Sequence, residues 1–370
     1  MRKLNNILVT GGAGFIGSNF IHYMLDRAPD FKGRIINLDA LTYAGNPMNL
    51  ADIEFRHRSP DPDTEPRYIF EHGNICSRDF VDSVFRKYEI DTVVHFAAES
   101  HVDRSIIGPE VFINTNVMGT FTLLEAARSA WKDNSRKKDK QQEFLFHQVS
   151  TDEVFGSLGP QGYFTEASPY DPHSPYSASK AGADHMVMAY SRTYGLPITI
   201  SNCSNNYGPR QFPEKLIPLM ILNIAEGRPL PVYGDGRQIR DWLYVEDHVR
   251  AVWTIMRSGI TGEKYNIGGD NEWENINLLN FLIDLVAVRT SQDPKKVREK
   301  ITHVEDRPGH DRRYAIDCSR IKQELGWKQS VNFEEGLART VDWYLDNTQW
   351  TEKIRTGEYR KLINRNYTGR

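Results

Sequence analysis

The run Ile7-Leu8-Val9-Thr10 passes directly into Gly11-Gly12-Ala13-Gly14-Phe15-Ile16-Gly17 and then into an amphipathic stretch reaching about Arg27. Few folds accept that order. A short apolar strand, a turn with glycines at 11, 14 and 17, and a helix bring backbone amides to a helix N-terminus. There a pyrophosphate can approach closely and the helix can pack tightly on a sheet. A glycine triplet alone is a weak signal; the strand and helix flanking this one give it weight. A second strand, residues 34–38, ends in Asp39. That carboxylate stands about 20 residues beyond the last glycine, where it can accept from a ribose 2′-hydroxyl and would repel a 2′-phosphate. The expected cofactor is therefore NAD+, although Asp39 could instead only cap the turn that follows.

Residues 68–72 and 92–96 read as further strands, the latter followed by the small Ala97 and Ala98, and helical patterns occupy residues 79–88 and 109–131. This alternation predicts an α/β fold, a Rossmann-like doubly wound parallel sheet. With 370 residues there is room for a second lobe. The expected organisation is an NAD-binding domain over residues 1–204, to which segments around 241–268 return, and a smaller C-terminal α/β substrate-binding domain over residues 205–370. The proline-rich, charged segment 52–66 is expected to be a surface loop.

Bulk charge narrows the function. A net charge of −3 and a pI near 6.4 argue against nucleic-acid or membrane-surface binding. The basic run 132–140 is interrupted by Asp133, Asn134 and Ser135 and reads as a solvated loop. Cys76, Cys203 and Cys318 are odd in number and widely spaced, suited neither to zinc nor to disulfide exchange, so no metal is expected and a reducing compartment fits. No signal peptide or run of 18 apolar residues is evident, which implies a cytoplasmic protein.

Two runs carry the chemistry: residues 150–156, containing Thr151-Asp152-Glu153, and Tyr176-Ser177-Ala178-Ser179-Lys180. Each has a bland alternative. Acidic pairs after strands usually form solvated loops or caps, and with 17 tyrosines about one Tyr-x-x-x-Lys arises by chance. Position decides between these. The acidic pair ends an apolar run that reads as a buried parallel strand, and open α/β sheets bind ligands beyond such ends. Ser174-Pro175 is a cap and first-turn signal, so Tyr176 and Lys180 should share one helix face. A redox-assisted elimination needs this set of groups. Tyr176, its phenol acidified by Lys180 and a nicotinamide cation, would take a sugar hydroxyl proton. Glu153 would remove the hydrogen acidified by the resulting ketone. Asp152, kept protonated by its neighbour and by burial, would protonate the departing hydroxyl, while Thr151 holds the sugar oxygen.

The second half supplies arginines, Arg240 and the cluster 306–313, whose guanidinium groups could grip a diphosphate or pair with surface acids. Pro231-Val232-Tyr233 offers a wall for a pyrimidine. Taken together, residues 97–106, 202–209, 212–219, 238–247 and 306–317, with Thr151-Asp152-Glu153, make nearly the whole chain resemble the extended short-chain dehydrogenase/reductases. Within them it is similar to the family of dTDP-glucose 4,6-dehydratases.

The resemblance implies Asp152 as proton donor, Glu153 as base, Tyr176 as oxidation-step base and Lys180 on the nicotinamide ribose. It implies NAD+ contacts from Gly11, Gly14, Phe15, Ile16, Gly17, Asp39, Asn74, Ile75, Ala97, Ala98, Thr115 and Asn206. It further implies contacts to dTDP-glucose from Ser100, Thr151, Asn205, Lys215, Leu216, Pro231, Tyr233, Arg240, Asn275, Arg307, His310 and Tyr367, and a homodimer. Asn74 stands where that family usually has aspartate, and Phe155 where tyrosine is common; an amide oxygen can still accept from an adenine amine. Left open are the same reaction on UDP-glucose, since one methyl in a pocket discriminates by only about 1–3 kcal/mol, an epimerase or decarboxylase, and a catalytically inert NAD-dependent sensor.

Overall fold

Side chains of an extended strand alternate between two faces. In the computed structural model, Ile7 and Val9 of β1 (Asn6–Thr10) enter a core on one side of the sheet and Leu8 enters a core on the other. The structure describes residues 1–57, 65–134 and 143–354. Two-sided burial recurs in β2 (Arg34–Asp39), where Ile35 and Ile36 divide in the same way, and in β5 (Leu145–Thr151), buried along its whole length. Strands without a solvent face belong in a parallel sheet covered by helices. Seven parallel strands lie in the order β10 (Lys264–Ile267), β6 (Ile198–Cys203), β5, β4 (Thr92–His95), β1, β2 and β3 (Tyr68–His72), the last an edge strand that is only partly buried. The winding reverses between β1 and β4, which opens a crevice beyond Thr10 and His95.

Side chains of α1 (Phe15–His22) and α9 (Val245–Ser258) build one core of this sheet, and those of α3 (Arg78–Tyr88), α6 (Thr120–Asn134) and α7 (Pro175–Tyr194) build the other. Helix α6 follows α4 (Val102–Ile107), α5 (Glu110–Phe112) and a π-helical stretch, Ile113–Gly119. The segment expected as a loop over residues 52–66 is partly helix, because α2 (Ala51–Arg56) buries Ile53 in the first core and ties Arg56 to Asp26 and Asp52. One apolar side chain and an i,i+4 ion pair suffice to hold six residues, and composition conceals that. Residues 58–64 and 135–142, the latter including most of the basic run, lie outside the described residues.

A second core surrounds Leu219, Ile221, Leu282, Ile283 and Leu337. It is built on a three-stranded sheet of β7 (Asn205–Tyr207), β9 (Ile239–Tyr244) and β11 (Glu272–Glu274), a pair formed by β8 (Leu230–Tyr233) and β12 (Ile301–Val304), and helices α8 (Leu216–Ala225) and α10 (Asn275–Arg289). Residues 241–244 are thus in the small sheet, and the chain rejoins the large one from Val245, through α9 and β10. Cys318, Ile321 and Trp327 also pack in the first core. Among the described residues no helix is long and apolar enough to cross a membrane.

Candidate active site

The glycine turn is shaped by contact as well as by conformation. Gly11 has φ +71°, and a Cβ there would sit 2.6 Å from the Ala97 nitrogen. A Cβ on Gly17 would lie 2.3 Å from the Gly11 oxygen, whereas one on Gly14 would meet only that oxygen, at 3.2 Å. Gly17 thus closes helix onto turn, and Gly14 faces open space in the cleft. The two positions separate by experiment. Gly14→Ala is expected to fold with near-normal thermal stability but lose bound NAD+, while Gly17→Ala lowers stability by about 1–3 kcal/mol as an overpacked site, read by thermal unfolding and by cofactor content after purification.

Asp39 accepts from the Ala13 amide at 2.8 Å and, through its other oxygen, from the Leu41 amide at 2.8 Å. It therefore does cap the next turn, and this pins the carboxylate at the cleft wall. All the residues expected to hold NAD+ line one cleft with about 1640 Å³ of empty space: Gly11, Gly14, Phe15, Ile16, Gly17, Asp39, Asn74, Ile75, Ala97, Ala98, Thr115, Tyr176, Lys180 and Asn206. Ser100, Thr151, Asp152 and Glu153 line it too.

The acidic pair occupies one 3-10 turn at the end of β5. The Thr151 hydroxyl accepts from the Glu153 amide at 3.2 Å and donates to Asp152 Oδ1 at 3.3 Å. Asp152 is buried, and its Oδ2 has no partner among the described residues. Burial first, then the charges of Glu153 and Asp241, push its acid well above the usual carboxylate range. Burial raises Glu153 as well, but Arg307, Lys215 and Arg240 pull the other way. Both neighbouring carboxyls are therefore raised, Asp152 well above its ordinary range and Glu153 less, because three cations offset part of its burial.

Helix α7 begins in a capping box, with Ser174 Oγ accepting from Ser177 N at 3.1 Å and Ser177 Oγ accepting from Ser174 N at 3.0 Å. Tyr176 and Lys180 then line the same cleft, both buried. The expected acidification of the phenol calls on the nicotinamide cation as well as Lys180, and the chain by itself supplies the forces opposing it. Burial, Glu153 and Cys203 push Tyr176 well above its ordinary value, and the Lys180 ammonium donates to the Val149 carbonyl at 2.8 Å. Behind it, buried Asp184 accepts from Ser150 Oγ at 2.6 Å and from the Tyr170 hydroxyl at 3.0 Å.

A second cleft, of about 990 Å³, adjoins the first and shares Glu153, Asn205, Asn206 and Lys215 with it. Leu216, Pro231, Tyr233, Arg240, Asn275, Arg307 and His310 complete the expected set, while Tyr367 lies outside the described residues. The arginines divide as the two alternatives foresaw. Arg240 and Arg307 enter the cleft, whereas Arg312 and Arg313 pair with Asp235 and Glu272. Arg240 is held by the Asp311 carbonyl at 2.9 Å and lies over the Tyr314 ring at 4.3 Å. Among the described residues, buried polar atoms of Asn205, Asn275, Trp242 and Arg307 lack partners, so the lining can bind a polar ligand.

His173 ties the segment before α7 to the 306–313 stretch, its Nδ1 lying 2.5 Å from Asp311 Oδ1 and its Nε2 3.4 Å from Asp171. The Asp311 bond raises its pKa. A raised value means that the pairing stabilises the fold fully below the unfolded value of about 6.5 and is lost as pH rises through the folded value. The difference in melting temperature between the wild type and His173→Gln should therefore shrink on going from mildly acidic to alkaline buffer.

Sequence reasoning missed Asp103 and Glu214, which also line the clefts. Both lie inside runs singled out above, but nothing in those runs says which way a side chain faces. Glu214 accepts from the Tyr43 hydroxyl at 3.0 Å, and burial pushes it up to about 7.

A doubly wound parallel sheet carrying this glycine turn, the Tyr176/Lys180 pair and a second, cationic cleft defines an extended short-chain dehydrogenase/reductase. Residues 8–340 match the family described as GDP-mannose 4,6 dehydratase. The chain is 52% identical over 373 residues to dTDP-glucose 4,6-dehydratase 1 of Escherichia coli (strain K12), covering 98% of this chain and 99% of that one. It is 51% identical over 364 residues to the dTDP-glucose 4,6-dehydratase of Neisseria meningitidis serogroup B, with 97% and 98% covered. The Streptomyces venezuelae dTDP-glucose 4,6-dehydratase, solved with NAD and TYD bound, superposes with a TM-score of 0.82 at 45% identity over 95% of this chain and 100% of that one. A UDP-glucose 4-epimerase from Thermotoga maritima shares the fold at a TM-score of 0.78 but only 27% identity, with 93% and 99% covered. The chain belongs to the dTDP-glucose 4,6-dehydratase family.

Proposed function

We propose that this chain converts dTDP-glucose to dTDP-4-keto-6-deoxyglucose, oxidising C4, eliminating water across C5 and C6, and regenerating NAD+. The observation that carries this reading is the pair Asp152 and Glu153, adjacent at the end of β5 and both lining the cofactor cleft, with the Asp152 acid raised further than that of Glu153. An epimerase has no use for such a pair. The first cleft fits NAD+, because Gly14 leaves room for a pyrophosphate and Asp39 is pinned where a ribose would lie. When bound, NAD+ supplies a hydride acceptor for C4 that later serves as donor to C6.

The residues do the rest. Tyr176 takes the C4 hydroxyl proton, and Thr151 holds that oxygen. Glu153 removes the C5 proton, which the C4 ketone has acidified. Asp152 protonates the C6 hydroxyl so that it leaves as water, and Glu153 returns its proton to C5. Arg240, Arg307 and Lys215 hold the diphosphate, and Pro231 and Tyr233 the base, while residues 1–204 with the returning segments form the cofactor half. We place the protein in the cytoplasm, in keeping with three free cysteines. It acts as a homodimer through the exposed apolar face of Ile107, Val111, Ile113 and Met118.

The deciding test is to incubate the purified protein with dTDP-glucose and, separately, UDP-glucose, without added NAD+. Loss of water with a new C6 methyl signal from the thymidine substrate supports the reading. No water loss from either substrate, even with NAD+ supplied, overturns it, and equal rates on both leave the base unselected.

A further inference from the structure

We infer that Asp103, a residue of the cofactor half, is a positioning residue for the nucleotide-diphosphate grip. It lies in α4 and is 1% exposed. Its two oxygens are spent across the cleft on two different elements of the other half. Oδ2 accepts from the Tyr233 hydroxyl at 2.7 Å, and Oδ1 from Arg307 Nη1 at 3.0 Å. One buried carboxylate thus sets both the ring against which the base lies and the guanidinium that meets the diphosphate.

The arrangement leaves the grip free to work. Arg307 Nε is buried without a partner among the described residues, so one edge of the guanidinium is anchored while N–H groups remain for a phosphate oxygen. His310 meets the Tyr233 ring edge-on at 6.0 Å, and the Arg307 cation lies 5.9 Å from that ring. Three side chains from two separate stretches are therefore registered by Asp103. An asparagine would have the same shape but no charge: its amide could donate to the Tyr233 hydroxyl, which can turn to accept, and its oxygen could still face Arg307. What is lost is the charge-assisted hold on the guanidinium.

This inference rests on the nucleotide-sugar reading above, and the test separates the two. Titration of the wild-type holoenzyme with dTDP checks the reading itself: no binding sinks that reading. Given wild-type binding, Asp103→Asn should weaken dTDP about tenfold, the worth of one charge-assisted hydrogen bond. It should raise KM for dTDP-glucose by a similar factor with kcat changed far less, and retain bound NAD+. Against an Arg307→Ala background the same substitution should cost little, because its effect runs through that arginine. An additive loss in the double variant, or a fall in kcat at constant KM, overturns the inference. If Asp103→Asn does not fold, Tyr233→Phe removes one arm of the latch alone. Weakened dTDP binding in that variant supports the latch, and unchanged binding sinks it.

Discussion

Glu153→Gln is expected to stop the reaction after oxidation. The amide keeps the shape of the side chain and its place in the 3-10 turn but cannot take the C5 proton, so water loss should slow by about 10²- to 10⁴-fold. Tyr176 and Lys180 are untouched, and C4 oxidation continues. Reduced cofactor should therefore accumulate on the enzyme, visible by its absorbance in a single turnover, whereas in the wild type it is present only transiently. There is a second consequence. The Glu153 charge is one cause of the elevated Tyr176 phenol and of the elevated Asp152 acid, so its removal should move the alkaline rise of the oxidation step to lower pH. Unimpaired water loss in this variant would remove Glu153 as the base.

Tyr176→Phe should fail one step earlier. No group then takes the hydroxyl proton, and product formation should fall by a similar 10²- to 10⁴-fold, with no reduced cofactor appearing. The two variants thus give opposite spectra at similar loss of turnover. Misfolding is not expected to confuse the result, because the ring meets Phe112 edge-on at a centroid distance of 6.4 Å and packs with Val102, contacts that phenylalanine retains. In the wild type the sign of the pH effect follows from the structure. The active form is the phenolate, burial and Glu153 oppose it, and the oxidation rate should therefore climb with pH. A flat profile for that step, or reduced cofactor building up in Tyr176→Phe, would assign the proton to another group.

Much of the fold was legible because its signals are local. Residues 7–9 alternate between two cores, Gly11 takes its positive φ where the strand turns, and Ser174-Pro175 opens the helix that carries Tyr176 and Lys180. Helix α2 escaped because Ile53 finds its burial in a core assembled from distant strands. The family likeness placed the clefts' other residues, yet Asp103 and Glu214 remained unseen, since orientation within a helix or loop depends on what packs against it.

By itself, then, the sequence determined most of the elements, the glycine turn, the caps and the candidates for the reacting groups, all of which depend on neighbours a few residues apart. Only the tertiary structure decided how far each acid is raised. Asp152 and Glu153 share a strand end and are both raised by burial, Asp152 further because Glu153 and Asp241 add to its burial while Arg307, Lys215 and Arg240 offset that of Glu153. Asp241 and those three cations lie far along the chain, and Coulomb fields in water fade within about 10 Å. Folding alone brings them within range, in a buried cleft where such fields are no longer screened away.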